Sequence, residues 1–305
     1  MTNPRVWALV LNHREADAAL RLLGSLRKMR YSALDVLVLD NDSGAGDVTR
    51  LEQVAEVVGT GANLGYGGGN NVGIRMALER GADFVWILNP DVDPPRRSLR
   101  RLVKTMEEEP GIGVLGVRLL EGRADISTVQ SEGGRIVWEA GGRSELIDRG
   151  RRVSRRDGAG VRDVDFVPGS AMLIKSAVFE KAGLLPEDYF MYFEETEFCI
   201  RVAEAGFRIA VDTRVQIGHL SGRSVGLPSE VYLYYFIRNR LLFGLRHTEV
   251  TFDALAEDVA PFIDSWRRRV REVDEKWLPR FEQLVRWALD DARAEEFGVR
   301  EGVGR

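Results

Sequence analysis

The fold is decided by the apolar run Val6-Trp7-Ala8-Leu9-Val10-Leu11 and by the residues that follow it. Apolar side chains recur at helical spacing between residues 16 and 29, and a second apolar run, Val36-Leu37-Val38-Leu39, comes next. Strands that are apolar on both faces and alternate with helices are typical of a parallel sheet covered by helices on both sides. The opening of the chain therefore predicts an α/β fold.

The same alternation extends over the first 120 residues. Short apolar runs predict strands at residues 54–58, 84–88 and 112–117, and helical patterns predict helices at residues 71–80 and 97–109. From Ser229 onward the pattern is mostly helical. The sequence thus predicts a sheet-forming N-terminal part followed by a helical C-terminal part.

Composition limits the classes of function. The chain has 305 residues, with 43 Lys and Arg against 47 Asp and Glu, and this net charge of −4 argues against nucleic-acid binding. Its single cysteine, Cys199, excludes internal disulfides and Cys-rich zinc sites. No run approaches the roughly 18 apolar residues of a membrane span, and the first residues lack the pattern of a signal peptide. We therefore expect a cytoplasmic protein.

Two arginine-rich segments lie outside the predicted sheet. Residues 141–163 carry seven Arg and four acidic residues with few apolar ones, which predicts an exposed, mobile loop. Near the C-terminus an apolar stripe at helical spacing runs beside four arginines, and we expect it to pack on the rest of the chain or on a second subunit. The alternative is that this helix lies on an anionic membrane. The stripe consists of Phe262, Trp266, Val270, Val273 and Trp277.

Polar clusters follow four of the predicted strands. In an open parallel sheet the carboxyl ends of the strands meet at one edge, where ligands bind. One such cluster is an ordinary turn, whereas four at the same edge predict a binding site. The clusters are Asn12-His13, Asp40-Asn41-Asp42-Ser43, Asn63-Leu64-Gly65-Tyr66-Gly67-Gly68-Gly69-Asn70-Asn71 and Asn89-Pro90-Asp91-Val92-Asp93.

The glycine-rich cluster differs from a dinucleotide-binding motif. Gly65 and Gly67 are followed by Asn70 where G-x-G-x-x-G requires glycine, and the cluster follows the third predicted strand instead of the first. Exposed backbone N–H groups and a helix N-terminus near Asn71 would still suit a diphosphate. The alternative is a tight loop that uses glycine for its backbone freedom.

Carboxylates and one histidine are candidates for metal binding and proton transfer. Asp91 and Asp93 are two residues apart in an extended segment, so both should point the same way and could bind Mg²⁺ or Mn²⁺; the alternative is a turn before the next helix. Further along, three glutamates open a predicted helix directly after an aromatic run, and desolvation would raise the pKa of a glutamate there toward that of a general base. The alternative is favourable interaction with the helix dipole. These glutamates are Glu194, Glu195 and Glu197, and the histidine is His219.

One motif points to a different chemistry. Gly222-Arg223-Ser224-Val225-Gly226 matches the G-x-S-x-G nucleophile pattern. That motif needs a strand running into it and a histidine well downstream, whereas Pro228 follows closely and His247 is the only later histidine. A serine hydrolase is therefore not expected.

Taken together, these stretches resemble glycosyltransferase family 2, particularly its rhamnosyltransferase-like branch, which has the GT-A fold. The resemblance covers roughly residues 6–243, and the motifs occur in the family's order. The first three are LDNDS at 39–43, similar to the nucleotide-recognising D-N-x-S; NLGYGGGNNVG at 63–73, similar to N-x-G-[FY]-x-x-G-N-N-x-G; and LNPD at 88–91, similar to the metal motif. The later ones are FMYFEETEFCIR at 190–201, similar to the segment with the catalytic base; His219 with Ser224; and YYFIRN at 234–239.

The resemblance implies a GT-A mixed sheet flanked by helices, with a catalytic domain over residues 1–228 and a helical region over 229–305. Residues 1–120 would form the nucleotide-binding half of that domain and residues 121–228 the acceptor half. It also implies an inverting transfer, with Mg²⁺ or Mn²⁺, of a sugar from a nucleoside diphosphate to a hydroxyl. The donor would be a dTDP-sugar such as dTDP-rhamnose or a UDP-sugar, and the acceptor a glycan, a lipid-linked molecule or a small molecule.

The resemblance also implies roles for individual residues. Asp91, with Asp93 and His219, would hold the metal, and Glu195 would be the catalytic base. Glu195 and Glu197 stand where the family usually has Asp, so the choice among Glu194, Glu195 and Glu197 stays open. The donor-binding residues would be Asn12, His13, Asp40, Asn41, Asn63, Gly65, Tyr66, Asn70, Asn71, Asn89 and Asp91.

Two other functions remain as alternatives. One is an NAD-type nucleotide-sugar oxidoreductase or epimerase, which the broken glycine motif disfavours. The other is a catalytically degenerate protein that binds nucleotide sugars without transferring them. For the leading prediction, the protein would be cytoplasmic, with peripheral contact at the inner face of the membrane and a homodimer as further options.

Overall fold

The computed structural model describes residues 3–121, 128–153, 159–220 and 227–304. The strands are β1 Val6–Asn12, β2 Leu34–Asp40, β3 Glu56–Gly59, β4 Phe84–Leu88, β5 Val92–Asp93, β6 Ile112–Glu121, β7 Val129–Ser131, β8 Gly134–Val137, β9 Arg143–Leu146, β10 Val161–Asp163, β11 Ala171–Lys175 and β12 Arg208–His219. The α-helices are α1 Ala16–Leu26, α2 Ala45–Glu52, α3 Gly65–Glu79, α4 Ser98–Glu108, α5 Ser176–Ala182, α6 Glu194–Glu204, α7 Glu230–His247, α8 Phe252–Val273 and α9 Leu278–Arg293.

Ten of the strands form one mixed sheet. Its order is β10-β12-β6-β11-β4-β1-β2-β3, with β5 beside β12 and β7 beside β6. The neighbours β4, β1, β2 and β3 are parallel, as predicted. β11 runs antiparallel between β4 and β6, and β12 is parallel to β6. The carboxyl ends of β1, β2, β4, β6 and β12 therefore lie at the same edge of the sheet.

The two faces of β1 are covered by different helices, which explains its continuous apolar run. Val6, Ala8 and Val10 belong to a core cluster shared with α1 and α4. On the opposite face, α3 approaches so closely that a Cβ on Gly69 would lie 2.5 Å from Leu11 Cδ1. Because side chains alternate across a strand, one apolar sequence serves both interfaces.

The glycine-rich cluster is helical and not a loop. The sequence predicted a helix from residue 71, but α3 begins at Gly65, whose φ is +73°. Its glycines bring the helix against the sheet, since a Cβ on Gly73 would lie 2.7 Å from Leu39 Cδ1. Close packing against β1 and β2 explains Gly69 and Gly73.

The prediction of an exposed, mobile loop at 141–163 is wrong for the two strands within it, β9 and β10, and residues 154–158 of that stretch lie outside the described residues. The same stretch also supplies two arginines that bond to a buried carboxylate. Glu132, with a side-chain exposure of 0%, bonds to Arg151 at 2.7 Å and Arg162 at 2.9 Å, and also to the buried Arg118. A carboxylate in the interior needs such partners, and sequence periodicity does not reveal them.

Contacts divide the chain into two compact units. The first comprises Met1–Arg135, Leu146–Leu185 and Glu195–Gly222; the second comprises Ile136–Glu145, Pro186–Glu194 and Arg223–Arg305. In the second unit α7, α8 and α9 pack together, and the apolar stripe of α8 contacts α7: the ring of Phe262 lies 4.9 Å from that of Phe236. Among the described helices, none is long and apolar enough to cross a membrane.

Candidate functional site

The first polar cluster connects the ends of β1 and β2. Asn12 donates from Nδ2 to Ser43 Oγ at 3.0 Å and to Asp40 Oδ1 at 3.4 Å. The Ser43 N–H donates to the other oxygen of Asp40 at 3.3 Å. Asn12 Oδ1 is buried and has no hydrogen-bond partner among the described residues. A buried acceptor without a donor is costly, so it is a position where a ligand N–H or O–H would be stabilised.

His13 has a similarly incomplete environment. Its Nδ1 lies 2.7 Å from the carbonyl oxygen of Asn41, so the Nδ1–H donates to this carbonyl. The neutral ring then has an acceptor at Nε2, which is buried and unpaired within the described chain. Both unpaired acceptors therefore belong to residues at the end of β1.

Asn41 connects the end of β2 to the start of α3. Its Nδ2 donates to Asn63 Oδ1 at 3.0 Å and to the Gly65 carbonyl at 3.2 Å, while its Oδ1 accepts from the Leu64 N–H at 2.9 Å. Both ends of the side chain are therefore occupied by protein. Asn41 and Asn63 shape the entrance to α3.

The residues inside α3 are held by the protein interior. Tyr66 donates from its hydroxyl to the Gly169 carbonyl at 2.6 Å, and Asn70 donates to the Tyr66 carbonyl at 2.9 Å. Asn71 exchanges two hydrogen bonds with the backbone of Leu185, at 2.8 and 3.1 Å. Asn70 and Asn71 are both fully buried. The observed contacts of these two asparagines stabilise the helix and its neighbours.

Asp91 and His219 form a pair at the sheet edge. β5 pairs with the end of β12, which places His219 Nε2 3.2 Å from Asp91 Oδ1. His219 Nδ1 lies 2.8 Å from Gln130 Oε1, so Nδ1 carries the hydrogen and donates it. In this tautomer Nε2 is the nitrogen that faces the Asp91 carboxylate. An imidazole nitrogen and a carboxylate oxygen at this distance can form an ion pair or coordinate the same divalent metal ion.

Asp93 and Asn89, which lie on either side of Asp91 in the sequence, have different contacts. Asp93 accepts a hydrogen bond from Ser25 of α1 at 3.0 Å. The Asn89 N–H donates to the Ser170 carbonyl at 3.0 Å. The structure therefore joins Asp91 to His219 but directs Asp93 to α1. Among the described residues, no group of three His, Cys, Asp or Glu forms a ready-made metal cage. Mg²⁺ and Mn²⁺ commonly complete their coordination with water and substrate phosphate.

Two residues near this pair were missed by sequence reasoning. Gln130 lies on β7 in a stretch without any motif. Glu15 precedes α1, and burial raises its pKa; the charge of Asp91 raises it further, whereas His13 and His219 lower it. The charge of Asp91 therefore acts on Glu15. Gln130 could have been revealed only by the pairing of β7 with β6.

Glu195 is the accessible member of the three glutamates at the start of α6. Glu194 and Glu197 are only 3% and 7% exposed, whereas Glu195 is partly exposed. Burial nevertheless raises the pKa of Glu195, although the backbone N–H groups of Glu195 and Thr196 oppose this by donating to its carboxylate. A carboxylate with a raised pKa and access to ligand is suited to proton transfer.

The start of α6 is attached to the same sheet edge as Asp91. Cys199, one turn beyond Glu195, hydrogen bonds to the backbone of Val167, and burial together with the charge of Glu195 raises its pKa to about 12. Val167 is three residues before Ser170, whose carbonyl accepts from Asn89. The segment at residues 167–170 thus contacts both α6, which carries Glu195, and the strand end that precedes Asp91.

The turn that precedes α6 is strained. Phe190, Tyr192 and Phe193 have φ values of +67°, +68° and +76°, a region that bulky residues rarely adopt. Asn239 of α7 donates from one Nδ2 to the carbonyls of Tyr189, Met191 and Tyr192 at 3.0, 2.7 and 3.0 Å. Arg238 fixes that amide by donating to its Oδ1 at 2.9 Å. The RN of the YYFIRN motif therefore holds the turn. Ser224, together with GRSVG, lies outside the described residues.

Comparison with known proteins identifies the family. The model of the family described as "Glycosyl transferase family 2" matches residues 8–181, more than half of the chain. The chain belongs to glycosyl transferase family 2. This overturns the alternative of an NAD-type oxidoreductase or epimerase and makes the protein a glycosyltransferase.

The family 2 chain is also similar to individual glycosyltransferases. It is 30% identical over 188 residues to the low-salt glycan biosynthesis hexosyltransferase Agl10 of Haloferax volcanii, covering 61% of this chain and 58% of that protein. It is 29% identical over 251 residues to the N-acetylglucosaminyl-diphospho-decaprenol L-rhamnosyltransferase of Mycobacterium tuberculosis, covering 73% and 78%. The dTDP-rhamnosyl transferase RfbF of Shigella flexneri is 20% identical over 254 residues, covering 79% and 80%. The chain thus resembles the rhamnosyltransferase-like branch.

Solved structures establish the GT-A fold. The mannosyltransferase PcManGT from Pyrobaculum calidifontis, in complex with GDP-Man and Mn²⁺, superposes with a TM-score of 0.57 at 16% identity, over 97% of this chain and 74% of that one. GalNAc-T7 with UDP, GalNAc and Mn²⁺ gives 0.58 at 13% identity, over 85% and 54%. The predicted fold class, a mixed sheet flanked by helices with a helical C-terminal region, is confirmed.

Proposed function

We propose that this family 2 enzyme transfers a deoxysugar, with inversion, from a dTDP-sugar such as dTDP-rhamnose to a hydroxyl group of a lipid-linked acceptor. The observation that carries the proposal is the Asp91–His219 pair at one sheet edge, with the helix of Glu195 anchored to the same edge. Two relatives named as rhamnosyltransferases support the sugar, and the dTDP of one name and the diphospho-decaprenol of the other support the nucleotide and the acceptor.

The donor nucleotide is proposed to bind at the ends of β1 and β2. Asp40 and Asn12 form a hydrogen-bonded pair there, and the unpaired acceptors Asn12 Oδ1 and His13 Nε2 are available to N–H and O–H groups of the nucleotide. Asn41, Asn63, Gly65 and Tyr66 would define the wall of this pocket through the entrance to α3. Asn70 and Asn71 would support this pocket indirectly, because their side chains are buried and bonded to protein.

Asp91 and His219 are proposed to hold Mg²⁺ or Mn²⁺. The proposal is supported by the 3.2 Å between His219 Nε2 and Asp91 Oδ1, and by Gln130, which contacts the other nitrogen of the His219 ring. When bound, the ion would neutralise negative charge on the diphosphate leaving group. Asp93 is proposed to lie near the metal without binding it directly, since Ser25 already donates to its carboxylate.

Glu195 is proposed as the general base because it is the most accessible of the three glutamates. Its carboxylate would accept the proton of the acceptor hydroxyl while that oxygen forms a bond to the anomeric carbon. The bond from this carbon to the diphosphate oxygen breaks on the opposite face, so the configuration inverts. A positioned base contributes about 10²–10⁴-fold to the rate.

The proposal is tested by incubating the protein with a panel of nucleoside-diphosphate sugars and a short-chain lipid-diphosphate sugar acceptor. Mass spectrometry detects the glycosylated product, and NMR of its anomeric proton gives the configuration. We expect product from dTDP-rhamnose with inversion, and loss of product with a chelator. Nucleotide binding without turnover for any donor would favour the catalytically degenerate protein, and product formed in chelator would contradict the metal assignment.

A further inference from the structure

A basic stripe occupies the outer face of α4. Arg97, which precedes the helix, and Arg100, Arg101 and Lys104 within it are all exposed. Their spacing of three, four and seven residues puts them on one side of the helix. The opposite side is buried, with Leu99, Leu102, Val103 and Met106 packed in the core.

Two further arginines extend this stripe into a groove. Arg30, just after α1, and Arg214 of β12 line a depression of about 500 Å³ together with the α4 residues. Arg214 is neutralised by Asp212 at 2.7 Å, and Lys104 by Glu108 at 3.4 Å. The remaining four guanidinium groups make no side-chain hydrogen bond or ion pair within the described parts of the chain. These four are Arg30, Arg97, Arg100 and Arg101.

This concentration of positive charge contrasts with the rest of the protein. The chain carries a net charge of −4, and many of its arginines are paired with acids, such as Arg80 with Glu56 at 2.8 Å and Arg208 with Asp163 at 2.6 Å. Four unpaired like charges in one groove repel one another and oppose folding. Such an arrangement is stabilised by a negatively charged partner.

We propose that this basic groove binds the anionic phospholipid headgroups of a membrane surface. The α4 stripe alone spans about 10 Å, from seven residues at 1.5 Å each, and is wider than a single phosphate group. The residues that line the groove include no aromatic ring, and the adjacent Tyr31 donates its hydroxyl to the Pro4 carbonyl at 2.6 Å. Single-stranded nucleic acids, in contrast, bind through stacking on aromatic rings. Clusters of Lys and Arg attract anionic lipid by charge alone.

The proposal does not depend on a lipid-linked acceptor. Arg30 and Arg100 lie beside Asn3, which precedes β1, so the groove extends to the edge of the sheet opposite Asp91. The alternative membrane site on α8 is weaker, because its apolar residues Phe262 and Trp266 contact the ring of Tyr232 in α7. An amphipathic helix needs a free apolar face to enter a membrane.

The test uses the full chain and two matched triple variants. Arg97→Gln, Arg100→Gln and Arg101→Gln together remove three charges from α4. Arg268→Gln, Arg271→Gln and Arg286→Gln together remove three exposed charges from α8 and α9. Binding is measured by flotation with vesicles of phosphatidylcholine alone and of phosphatidylcholine mixed with phosphatidylglycerol. Thermal unfolding verifies folding, and transfer to a soluble acceptor verifies the catalytic site independently.

We expect the native chain to bind only the anionic vesicles and to be released by high salt. The α4 variant should bind them roughly a hundredfold more weakly, from three charges lost near the surface, while the α8/α9 variant binds normally. No binding of the native chain to anionic vesicles, or equal binding of the α4 variant, would overturn the proposal. Binding of a single-stranded oligonucleotide that the α4 variant alone loses, without vesicle binding, would assign the groove to nucleic acid. Failure of the proposed transferase would instead appear as absent turnover in all three proteins.

Discussion

The edge of the sheet and the turn before α6 both carry residues proposed for the reaction, but they are built in opposite ways. At the sheet edge, Asn12 and Asp40 are the last residues of β1 and β2 and are joined by a hydrogen bond, and Asp91 follows β4 and contacts His219. In the turn, three bulky residues adopt positive φ, and a single amide from another helix, that of Asn239, holds three of its carbonyls. The first region is positioned by the fold itself, and the second is held in place against its own conformational preference.

The largest expected effect concerns the residue that follows the strained turn. Glu195→Gln removes the proposed base while keeping its size, so we expect transfer to fall by about 10²–10⁴-fold with little change in donor binding. Glu195→Asp, which restores the residue usual in the family, should retain more activity than the Gln variant. The measurement is the rate of nucleotide release with saturating donor and acceptor. Normal turnover by Glu195→Gln, with loss in Glu194→Gln or Glu197→Gln, would place the base elsewhere.

Releasing the turn should have the next largest effect. Asn239→Ala removes the three hydrogen bonds to the turn, so Glu195 should lose its orientation, and kcat should fall by roughly tenfold to a hundredfold. KM for the donor should change little, because the donor is proposed to bind at the sheet edge. Asn239→Asp is the control for size, since a carboxylate cannot donate and should behave like Ala. Unchanged kcat in both variants, with only a lower melting temperature, would make the contact purely structural.

A smaller effect is expected at the sheet edge. Gln130→Ala removes the hydrogen bond that holds the His219 ring. A hydrogen bond that orients a metal ligand typically contributes about 10–100-fold to metal affinity. Mn²⁺ binding in the presence of a nucleoside diphosphate, followed by electron paramagnetic resonance, should weaken in this variant. Gln130→Glu keeps an acceptor for Nδ1–H and should retain affinity. Gln216→Ala is a matched control on β12, and a loss of the same size there would contradict a specific role for Gln130.

The smallest effect is on stability. Because burial raises the pKa of Glu195, its carboxylate form opposes folding, whereas its neutral form does not. Glu195→Gln should therefore match the native melting temperature at about pH 4, below the ordinary glutamate pKa, and exceed it at about pH 8. The difference should develop as the pH rises through the raised pKa. A variant that is less stable at the higher pH would contradict the desolvation of Glu195.

The contrast between the two regions also explains what could be predicted from sequence. Polar clusters after apolar runs indicated the sheet edge, because strand ends in a parallel sheet are fixed by connectivity. The start of α3 at Gly65, in contrast, could not be predicted, because glycine disfavours helices. The glycines of this helix that contact Leu11 and Leu39 are explained only by the packing of the folded protein. Gln130 depends on the pairing of β7 with β6, and the partners of Glu132 come from three distant positions.

The central claim is that the sheet edge binds a metal–nucleotide pair independently of Glu195. Calorimetric titration of dTDP, with and without Mn²⁺, into the native chain, Glu195→Gln and Asp91→Asn tests it directly. We predict that Glu195→Gln binds dTDP with Mn²⁺ as the native chain does, whereas Asp91→Asn loses the part of the affinity that Mn²⁺ supplies. Binding that ignores Mn²⁺ in the native chain, or that Asp91→Asn leaves intact, would contradict the claim.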